Sequence, residues 1–218
     1  MQPKRLVSAL YDDFRPFNLW TDIFNSFLTT ANPNKLQDND VLVLWGGGDI
    51  SPSFYGHKKH RFGGGSEVPV KRDVWEWNLL QTCKERNIPV IGICRGAQMM
   101  CASEGGYLVQ HVDGHAGQAH PISWADGDIT TVCSLHHQMM VPAGNFELIA
   151  KSTTPLGAEY YAMDNDGKEI KFDSLVEPEF IYYPDIKGFA IQWHPEFMSP
   201  ATEATQKLLK FIKEKLND

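Results

Sequence analysis

The sequence has few features of an exported or membrane-embedded chain. Its 218 residues contain no apolar run that approaches the ~18 residues needed to span a bilayer, and the N-terminus has no apolar core of the signal-peptide kind. The four cysteines show neither metal-binding nor redox spacing, so the sequence predicts a soluble protein of a reducing cytoplasm. These cysteines are Cys83, Cys94, Cys101 and Cys133.

Positive charge is scarce as well, since 20 lysines and arginines stand against 27 aspartates and glutamates for a formal net charge of −7. This balance argues against nucleic acid or an anionic membrane as a partner. The composition also lacks the biases of disordered and collagen-like chains. The length suits one α/β domain with a sizeable core, and we expect a single domain over residues 1–218.

The glycine-rich stretch 57–67 lacks the Gly-Lys-Ser/Thr sequence that follows the glycines of a phosphate-binding loop. Two interpretations of this stretch stay open. It is either a solvated flexible loop or a lid whose cations lie over an acidic leaving group or a docking partner. The cations in question are Lys58, Lys59 and Arg61.

A cysteine stands at a predicted strand-to-helix corner. The apolar run 88–93 is typical of a parallel strand buried on both faces, and the residues after it favour a helix. Gly92 and Gly96 flank Cys94 in a Gly-x-Cys-x-Gly pattern, which is the thiol counterpart of a nucleophile elbow. The helix N-terminus and the charge of Arg95 would both favour a thiolate. A buried structural cysteine is the alternative.

Two further stretches supply the partners that such a thiol needs. A short predicted strand at 188–193 is followed by His194 and, two residues later, by Glu196. Side chains two apart on extended backbone face the same side, so Glu196 is placed to orient His194 as a base. Upstream, a predicted strand at 41–45 runs into the glycines 46–48, whose backbone N–H groups can approach an oxyanion closely.

These stretches belong to six short motifs that occur in order between residues 46 and 196, and together they resemble the class I glutamine amidotransferases. In more detail they resemble the γ-glutamyl hydrolase branch. The resemblance implies a three-layer, flavodoxin-like α/β fold with a mostly parallel central sheet, helices on both faces and a small antiparallel β insertion. The motifs are Gly47-Gly48-Asp49-Ile50-Ser51-Pro52 with Tyr55-Gly56, Arg72-Asp73 with Glu76, Gly92-Ile93-Cys94-Arg95-Gly96-Ala97-Gln98, Gly105-Gly106-Tyr107-Leu108-Val109-Gln110, Ser134-Leu135-His136-His137-Gln138 and Gln192-Trp193-His194-Pro195-Glu196.

By this resemblance, Cys94, His194 and Glu196 form a catalytic triad, and the backbone amides of Gly48 and Arg95 are the oxyanion donors. The resemblance also implies a pocket for the glutamyl group, in which backbone groups hold its α-carboxylate and α-amino ends. For His137, one of the residues of this pocket, a purely structural role is an equally good interpretation. The implied substrate-binding residues are Gly47, Gln98, Ser134, Leu135, His136 and His137.

The middle of the sequence is rich in histidine, which raises the question of zinc. His111 and His115 have i,i+4 spacing, but Gly114 and Gly117 disfavour a helix there, and no His-Glu-x-x-His motif occurs. We therefore assign no metal ligands and expect no cofactor.

Periodicity predicts the remaining elements. Helices are expected at 17–28, 70–87 and 200–216, and the ionic residues at the start of the second helix are expected to form structural ion pairs. A strand is expected at 129–133. Hairpin-like strands are expected across 147–189, as an insertion on the α/β core.

The stretch between residues 28 and 41 leaves no room for the additional strand and helix turn that the resembled family has there. We therefore expect a sheet that is one strand short at its edge. An uncovered edge of this kind predicts self-association or a partner protein.

Acyl transfer to water is the reaction that these residues imply, with a small-molecule γ-glutamyl amide as substrate and a γ-glutamyl thioester on Cys94 as intermediate. One alternative is a glutaminase subunit that passes ammonia to a separate synthetase; its hydrolysis of glutamine alone would be slow and stimulated by the partner. Another alternative is a non-catalytic scaffold that binds a glutamyl group. The presence of the complete set of Cys94, His194 and Glu196 argues against it.

Overall fold

The computed structural model describes residues 5–9, 17–173 and 175–217. Within them the chain forms fourteen strands and three α-helices, together with short 3₁₀ turns. The strands are β1 (Arg5–Ser8), β2 (Ser26–Thr29), β3 (Asp40–Leu44), β4 (Val90–Ile93), β5 (Tyr107–Val109), β6 (His111–Val112), β7 (Gln118–Trp124), β8 (Ile129–Ser134), β9 (Met139–Val141), β10 (Glu147–Ser152), β11 (Tyr160–Met163), β12 (Glu169–Phe172), β13 (Pro178–Tyr183) and β14 (Gly188–Ile191). The helices are α1 (Lys71–Glu85), α2 (Arg95–Ser103) and α3 (Glu203–Asn217).

Nine of the described strands form the central sheet in the order β2-β1-β3-β4-β14-β13-β10-β7-β8. The first five run parallel to one another, and the pairing is antiparallel from β14 onward. Strands β3, β4 and β14 are buried along their whole length, which explains their nearly continuous apolar sequences. The predicted α/β class with a parallel core is confirmed.

The helices cover both faces of this sheet. Alternate residues of the same strands enter two apolar clusters, because successive side chains on a strand point to opposite faces. One cluster includes Leu208 and Ile212 of α3, and the other includes Leu79 of α1 and Met99 of α2. The three-layer arrangement predicted for the chain therefore holds. In the part of the chain that is described, no helix combines the length and apolar character needed to cross a membrane.

The helix predicted at 17–28 is wrong. The segment forms one 3₁₀ turn at Phe17–Trp20 and then the edge strand β2, which pairs with β1 in parallel. Trp20 and Phe24 are buried, as the aromatic periodicity indicated, but Phe27 lies in the strand and is partly exposed. The pairing of residues 26–29 with the otherwise open edge of β1 outweighs the weak local preference of these residues for helix. Because β2 takes the edge position, the expectation of a sheet one strand short is also wrong.

The strands across 147–189 were expected to form one insertion, but most of them belong to the central sheet. Strands β10, β13 and β14 are internal strands of that sheet. Only β11 and β12 leave it, and they pair with β6 in a small antiparallel sheet. A turn joins β11 and β12, with Gly167 at φ +81° donating its N–H to the Asp164 carbonyl.

Candidate active site

Cys94 lies at the corner between β4 and α2 in a strained backbone conformation. Its φ of 49° and ψ of −103° fall in a region that residues with a side chain rarely adopt. Such strain concentrates at functional sites, where the surrounding structure holds it in place. The side chain is nearly buried, with 6% exposed.

The two glycines that flank Cys94 make this corner sterically feasible. A Cβ atom on Gly92 would lie 2.6 Å from the backbone of Gly96, and a Cβ on Gly96 would overlap the carbonyl of Leu44 in the neighbouring strand β3. Both positions therefore need glycine so that the strand, the turn and the first turn of α2 can pack together. The elbow predicted from the Gly-x-Cys-x-Gly pattern is present.

Strand pairing brings His194 to this corner although it lies a hundred residues further along the chain. Strand β14 runs parallel to β4 with Ile191 opposite Ile93, so both strands leave the sheet at the same level. The Cys94 N–H donates to the Ile191 carbonyl at 2.7 Å. The His194 N–H donates to the Cys133 carbonyl at 3.1 Å, which fixes the backbone after β14 to the end of β8.

His194 lies beside Cys94 and is hydrogen-bonded to Glu196. Its Nδ1 lies 2.8 Å from Glu196 Oε1, which leaves Nε2 as the nitrogen for the thiol. Burial alone would lower the pKa of His194, but the interactions with Cys94 and Glu196 outweigh it and raise this pKa to about 9. The ring also stacks on Phe197, with centroids 5.2 Å apart. A Cβ on Gly46 would lie 2.5 Å from His194 Cε1, so the glycine loop leaves space for the imidazole.

A buried cluster of four charges lies beneath this site. The guanidinium of Arg95 pairs with Asp73 and Glu76, and Arg72 pairs with Glu76 at 2.8 Å. Arg72 also donates to the carbonyls of Trp45 and Gly46, which holds the first peptide planes of the glycine loop. The structural ion pairing expected at the start of α1 is thus confirmed. The expected assistance of the Arg95 charge to a Cys94 thiolate is not supported, because two carboxylates neutralise that charge.

Gly48 and Arg95, whose amides are the predicted oxyanion donors, are among the residues that line one cavity of about 330 Å³. Gly64 and Gly65 of the stretch 57–67 line it as well. A Cβ at Gly48 would meet nothing within 4 Å, so this part of the loop faces open space. The cavity is large enough for a small molecule, but neither Cys94 nor His194 is among its lining residues.

The stretch 57–67 is anchored rather than freely solvated. The buried His60 donates its N–H to Gln110 Oε1 at 2.6 Å, and its Nε2 lies 2.7 Å from Glu169 Oε2. The Gly64 N–H donates to Asp49 Oδ2 at 2.6 Å. Its three cations, Lys58, Lys59 and Arg61, are exposed. The lid interpretation stays a prediction.

The residues predicted to bind substrate take different positions. Gln98 is buried and donates from Nε2 to the Gln138 carbonyl at 3.1 Å. His137 lies half exposed with Nε2 3.0 Å from Asp49, an ion pair that raises its pKa. Leu135 is exposed, and the buried Ser134 hydroxyl has no hydrogen-bond partner among the described residues.

Two of the other predicted positions have different surroundings from those expected. Gly47 packs against the guanidinium of Arg72, at a φ of 150°. His136 is buried, and its Nε2 points away from solvent toward Glu179. A side-chain role of His136 in binding substrate is therefore not supported.

Sequence reasoning missed one group of residues entirely. The side chains of His115, His120, His136 and Glu179 converge inside the protein, with one ligand-type atom from each within 4.8 Å of the others. They come from four separate segments of chain, so no local spacing motif marks them. The only sequence signal was the overall density of histidine between positions 111 and 137.

The fold is that of the class I glutamine amidotransferases. A glutamine amidotransferase from Thermotoga maritima superposes with a TM-score of 0.64 over 100% of this chain and 97% of its own, at 14% sequence identity. The model of the Peptidase C26 family matches residues 29–196, and the chain belongs to that family. The matched range includes Cys94, His194 and Glu196.

Two relatives in sequence are similar over about three quarters of the chain. A candidate glutamine amidotransferase of Mycobacterium tuberculosis is 31% identical over 169 residues, which are 74% of this chain and 52% of that protein. A glutamine amidotransferase-like protein of Lactococcus lactis is 30% identical over 183 residues, 75% of this chain and 68% of its own. The chain thus spans about half the length of the mycobacterial relative.

Proposed function

We propose that the protein is a cysteine-dependent hydrolase of the γ-glutamyl hydrolase branch, which cleaves the γ-glutamyl amide bond of glutamine or of a γ-glutamyl amine. The observation that carries this proposal is the juxtaposition of Cys94, at the strained corner after β4, with His194, whose Nδ1 is hydrogen-bonded to Glu196. A nucleophile, a base and an orienting carboxylate are the groups that acyl transfer requires. Membership of the Peptidase C26 family supports the same reaction class.

In the first half-reaction the Cys94 sulfur attacks the γ-carbonyl carbon while its proton resides on His194. The carbonyl oxygen becomes an oxyanion and accepts hydrogen bonds from the amides of Gly48 and Arg95. Each such donor contributes a few kcal/mol, on the order of 10²-fold or more in rate. His194 then gives its proton to the leaving amine, the C–N bond breaks, and a γ-glutamyl thioester remains on Cys94.

In the second half-reaction His194 takes a proton from water, whose oxygen attacks the thioester carbonyl. The C–S bond breaks, the thiol regains its proton, and glutamate leaves. Glu196 stays ionised throughout and holds the imidazole in the orientation that both steps need.

A panel of γ-glutamyl amines, glutamine included, assayed for release of glutamate tests the proposal. We expect glutamate from at least one member, a covalent adduct of the Cys94 thiol with a glutamine-like electrophile in intact-protein mass spectrometry, and neither result with Cys94→Ala. Glutamate release that persists at the wild-type rate in Cys94→Ala would refute it. A match over 60 residues, at 38% identity, to the γ-glutamyl-CDP-amidate hydrolase of Campylobacter jejuni favours an amine larger than ammonia.

A second candidate function is that of a glutaminase subunit that delivers ammonia to a synthetase. The observation that favours it is 26% identity over 137 residues to the small chain of carbamoyl phosphate synthase from Buchnera aphidicola. In this case the γ-glutamyl amines other than glutamine would be poor substrates, and glutamine hydrolysis would rise when the partner is added. The same panel therefore separates the two candidates.

A further inference from the structure

A second concentration of ionisable side chains lies away from Cys94, and we call it the histidine cluster. Three imidazoles surround one carboxylate oxygen, Glu179 Oε1, at 3.3 to 3.5 Å. All four side chains are buried, with at most 3% of each residue exposed. The members of the histidine cluster are His115, His120, His136 and Glu179.

The polar atoms that face the centre of the histidine cluster are unsatisfied. Among the described residues, the facing nitrogen of each imidazole and both oxygens of Glu179 have no hydrogen-bond partner. In folded proteins roughly nine in ten or more of such buried groups are paired, and an unpaired one costs about 1–3 kcal/mol. Several orphaned atoms in one buried place indicate a missing binding partner.

The outer nitrogen of each imidazole faces an acceptor. His136 Nδ1 lies 2.9 Å from the Gln138 carbonyl, His120 Nδ1 lies 3.4 Å from the Pro121 carbonyl, and His115 Nε2 lies 3.2 Å from a Glu177 carboxylate oxygen. A proton on the outer nitrogen of His120 and of His136 would bond these carbonyls and leave each inner nitrogen with a free lone pair, whereas His115 Nε2 lies near its carboxylate without a hydrogen bond. Histidines that bind metals are oriented in this way by carbonyls and carboxylates.

The N···O distances inside the histidine cluster fit a bound cation better than hydrogen bonds from protonated imidazoles to Glu179. If the imidazoles were protonated toward Glu179, charge-assisted N–H···O bonds of about 2.7–2.9 Å would be expected. The three observed distances to Glu179 Oε1, 3.3 to 3.5 Å, are instead close to the edge of roughly 3.3–3.4 Å expected for a tetrahedron whose centre lies about 2.0–2.1 Å from each ligand, and all four ligand atoms lie within 4.8 Å of one another.

We propose that the histidine cluster binds one structural zinc ion. Three imidazole nitrogens and one carboxylate oxygen are ligands that zinc accepts, and four protein ligands leave no open position for a reacting water. The four side chains are far from solvent, so the ion would be exchanged slowly. The chemistry is therefore that of a fold-stabilising ion rather than a second catalytic centre.

The zinc would link the candidate substrate pocket to the central sheet. His136 follows β8 within the predicted pocket segment, His120 is in β7, and Glu179 is in β13. The carbonyl of Glu179 accepts the N–H of Gln192, two residues before His194. Loss of the ion is expected to loosen both the pocket segment and the support of His194, a consequence that rests on the proposed function.

The test begins with the wild-type chain. Protein purified without chelator from a zinc-supplemented culture should contain one zinc per chain by elemental mass spectrometry. Removal of the metal with a chelator should lower the melting temperature by roughly 10 °C, and added ZnCl₂ should restore it. Added CoCl₂ should produce the intense visible absorption of four-coordinate cobalt. These readouts do not depend on activity, so they separate failure of the zinc site from failure of the hydrolase proposal.

Variants then locate the ion. Glu179→Gln and His120→Asn should lose at least 100-fold in zinc affinity, whereas His111→Asn, a change of a half-buried histidine outside the histidine cluster, should retain wild-type zinc. If the first two variants fail to fold, the stripping and reloading of wild type decides. Wild type that contains little metal and gains neither melting temperature nor cobalt absorption would overturn the proposal. Zinc loss in His111→Asn equal to that in Glu179→Gln would overturn it too.

Discussion

The Cys94 site and the histidine cluster lie near neighbouring strands of one sheet, yet their polar groups are satisfied in different ways. At Cys94 the imidazole of His194 lies between the thiol and the Glu196 carboxylate, and among these groups Glu196 Oε2 has no hydrogen-bond partner among the described residues. In the histidine cluster every inward-facing nitrogen and both oxygens of Glu179 lack hydrogen-bond partners among the described residues. The first arrangement holds the groups that the proposed reaction needs, whereas the second, under the zinc proposal, gains its missing partner from a cation.

The largest effect on activity is expected from Cys94→Ala, which should alter the Cys94 site and leave the histidine cluster unchanged. Removal of the nucleophile should lower kcat for γ-glutamyl amide hydrolysis on the order of 10⁴-fold or more while zinc content stays unchanged. Rates of glutamate release and elemental analysis of the same samples measure both quantities. Cys83→Ala, a change of a buried cysteine in α1, is the control and should retain activity. A comparable loss in both variants would contradict a special role of Cys94.

The next largest effect concerns the pH dependence of kcat/KM and its change in the variant Glu196→Gln. Because the pKa of His194 is raised to about 9, its proton is available to the leaving amine below that pH and is lost above it, so kcat/KM should fall as pH rises through about 9. Glu196→Gln removes a group that raises this pKa. The alkaline limb should then move to lower pH, with a loss of about 10²- to 10⁴-fold at neutral pH.

The pH–rate profile of kcat/KM for both proteins measures this shift. Glu159→Gln is a matched control, since Glu159 forms an exposed ion pair with Lys171 far from His194 in sequence. An alkaline limb that stays in place in Glu196→Gln would show that Glu196 does not set the titration of His194.

A smaller effect is expected from Gly46→Ala, which alters the Cys94 site by shape alone. The new methyl group would lie 2.5 Å from His194 Cε1, so the imidazole must shift. A misplacement of about 1 Å typically costs on the order of 10²-fold in rate. Steady-state kinetics measure the loss, and a melting temperature near that of wild type shows that the fold is intact. Wild-type kcat in this variant would mean that the imidazole position is not critical.

The smallest effect is expected from the triple change of Lys58, Lys59 and Arg61 to alanine, which tests the lid interpretation. Exposed cations act through screened electrostatics, so KM for a substrate with an anionic leaving group should rise only several-fold, and less at high salt. KM for glutamine, whose leaving group is neutral, should change little. Kinetics at two ionic strengths measure both.

The control for this change is a chain with three other exposed lysines replaced by alanine. These are Lys35, Lys210 and Lys213, which are also solvent-exposed. An equal rise of KM in the control would indicate a general effect of net charge. An unchanged KM in the triple variant would exclude the lid.

The sequence was informative where chemistry depends on short, local patterns. The two glycines around Cys94 predicted the elbow because only glycine fits both close contacts. The two-residue spacing of His194 and Glu196 predicted their contact, which the structure gives as 2.8 Å. Their meeting with Cys94 required a family resemblance, because the pairing of β14 with β4 leaves no local trace in the sequence.

Other features were not predictable from local patterns. The aromatic spacing around Trp20 and Phe24 is compatible with a helix, and only the unpaired side of β1 explains why the next residues form a strand. The histidine cluster draws on two loops and two strands, so its geometry depends on tertiary structure alone. The helical spacing of His111 and His115 was judged not to indicate a metal site, and of these two residues only His115 belongs to the histidine cluster.

The parallel pairing of β14 with β4 also has a consequence for synthesis of the protein. During translation the thiol at position 94 emerges from the ribosome about a hundred residues before the imidazole that is to accept its proton. Until β14 inserts between β4 and β13, Cys94 of the nascent chain does not have the imidazole of His194 beside it. Under the proposed function, hydrolytic capacity would then arise only after β14 has paired with β4.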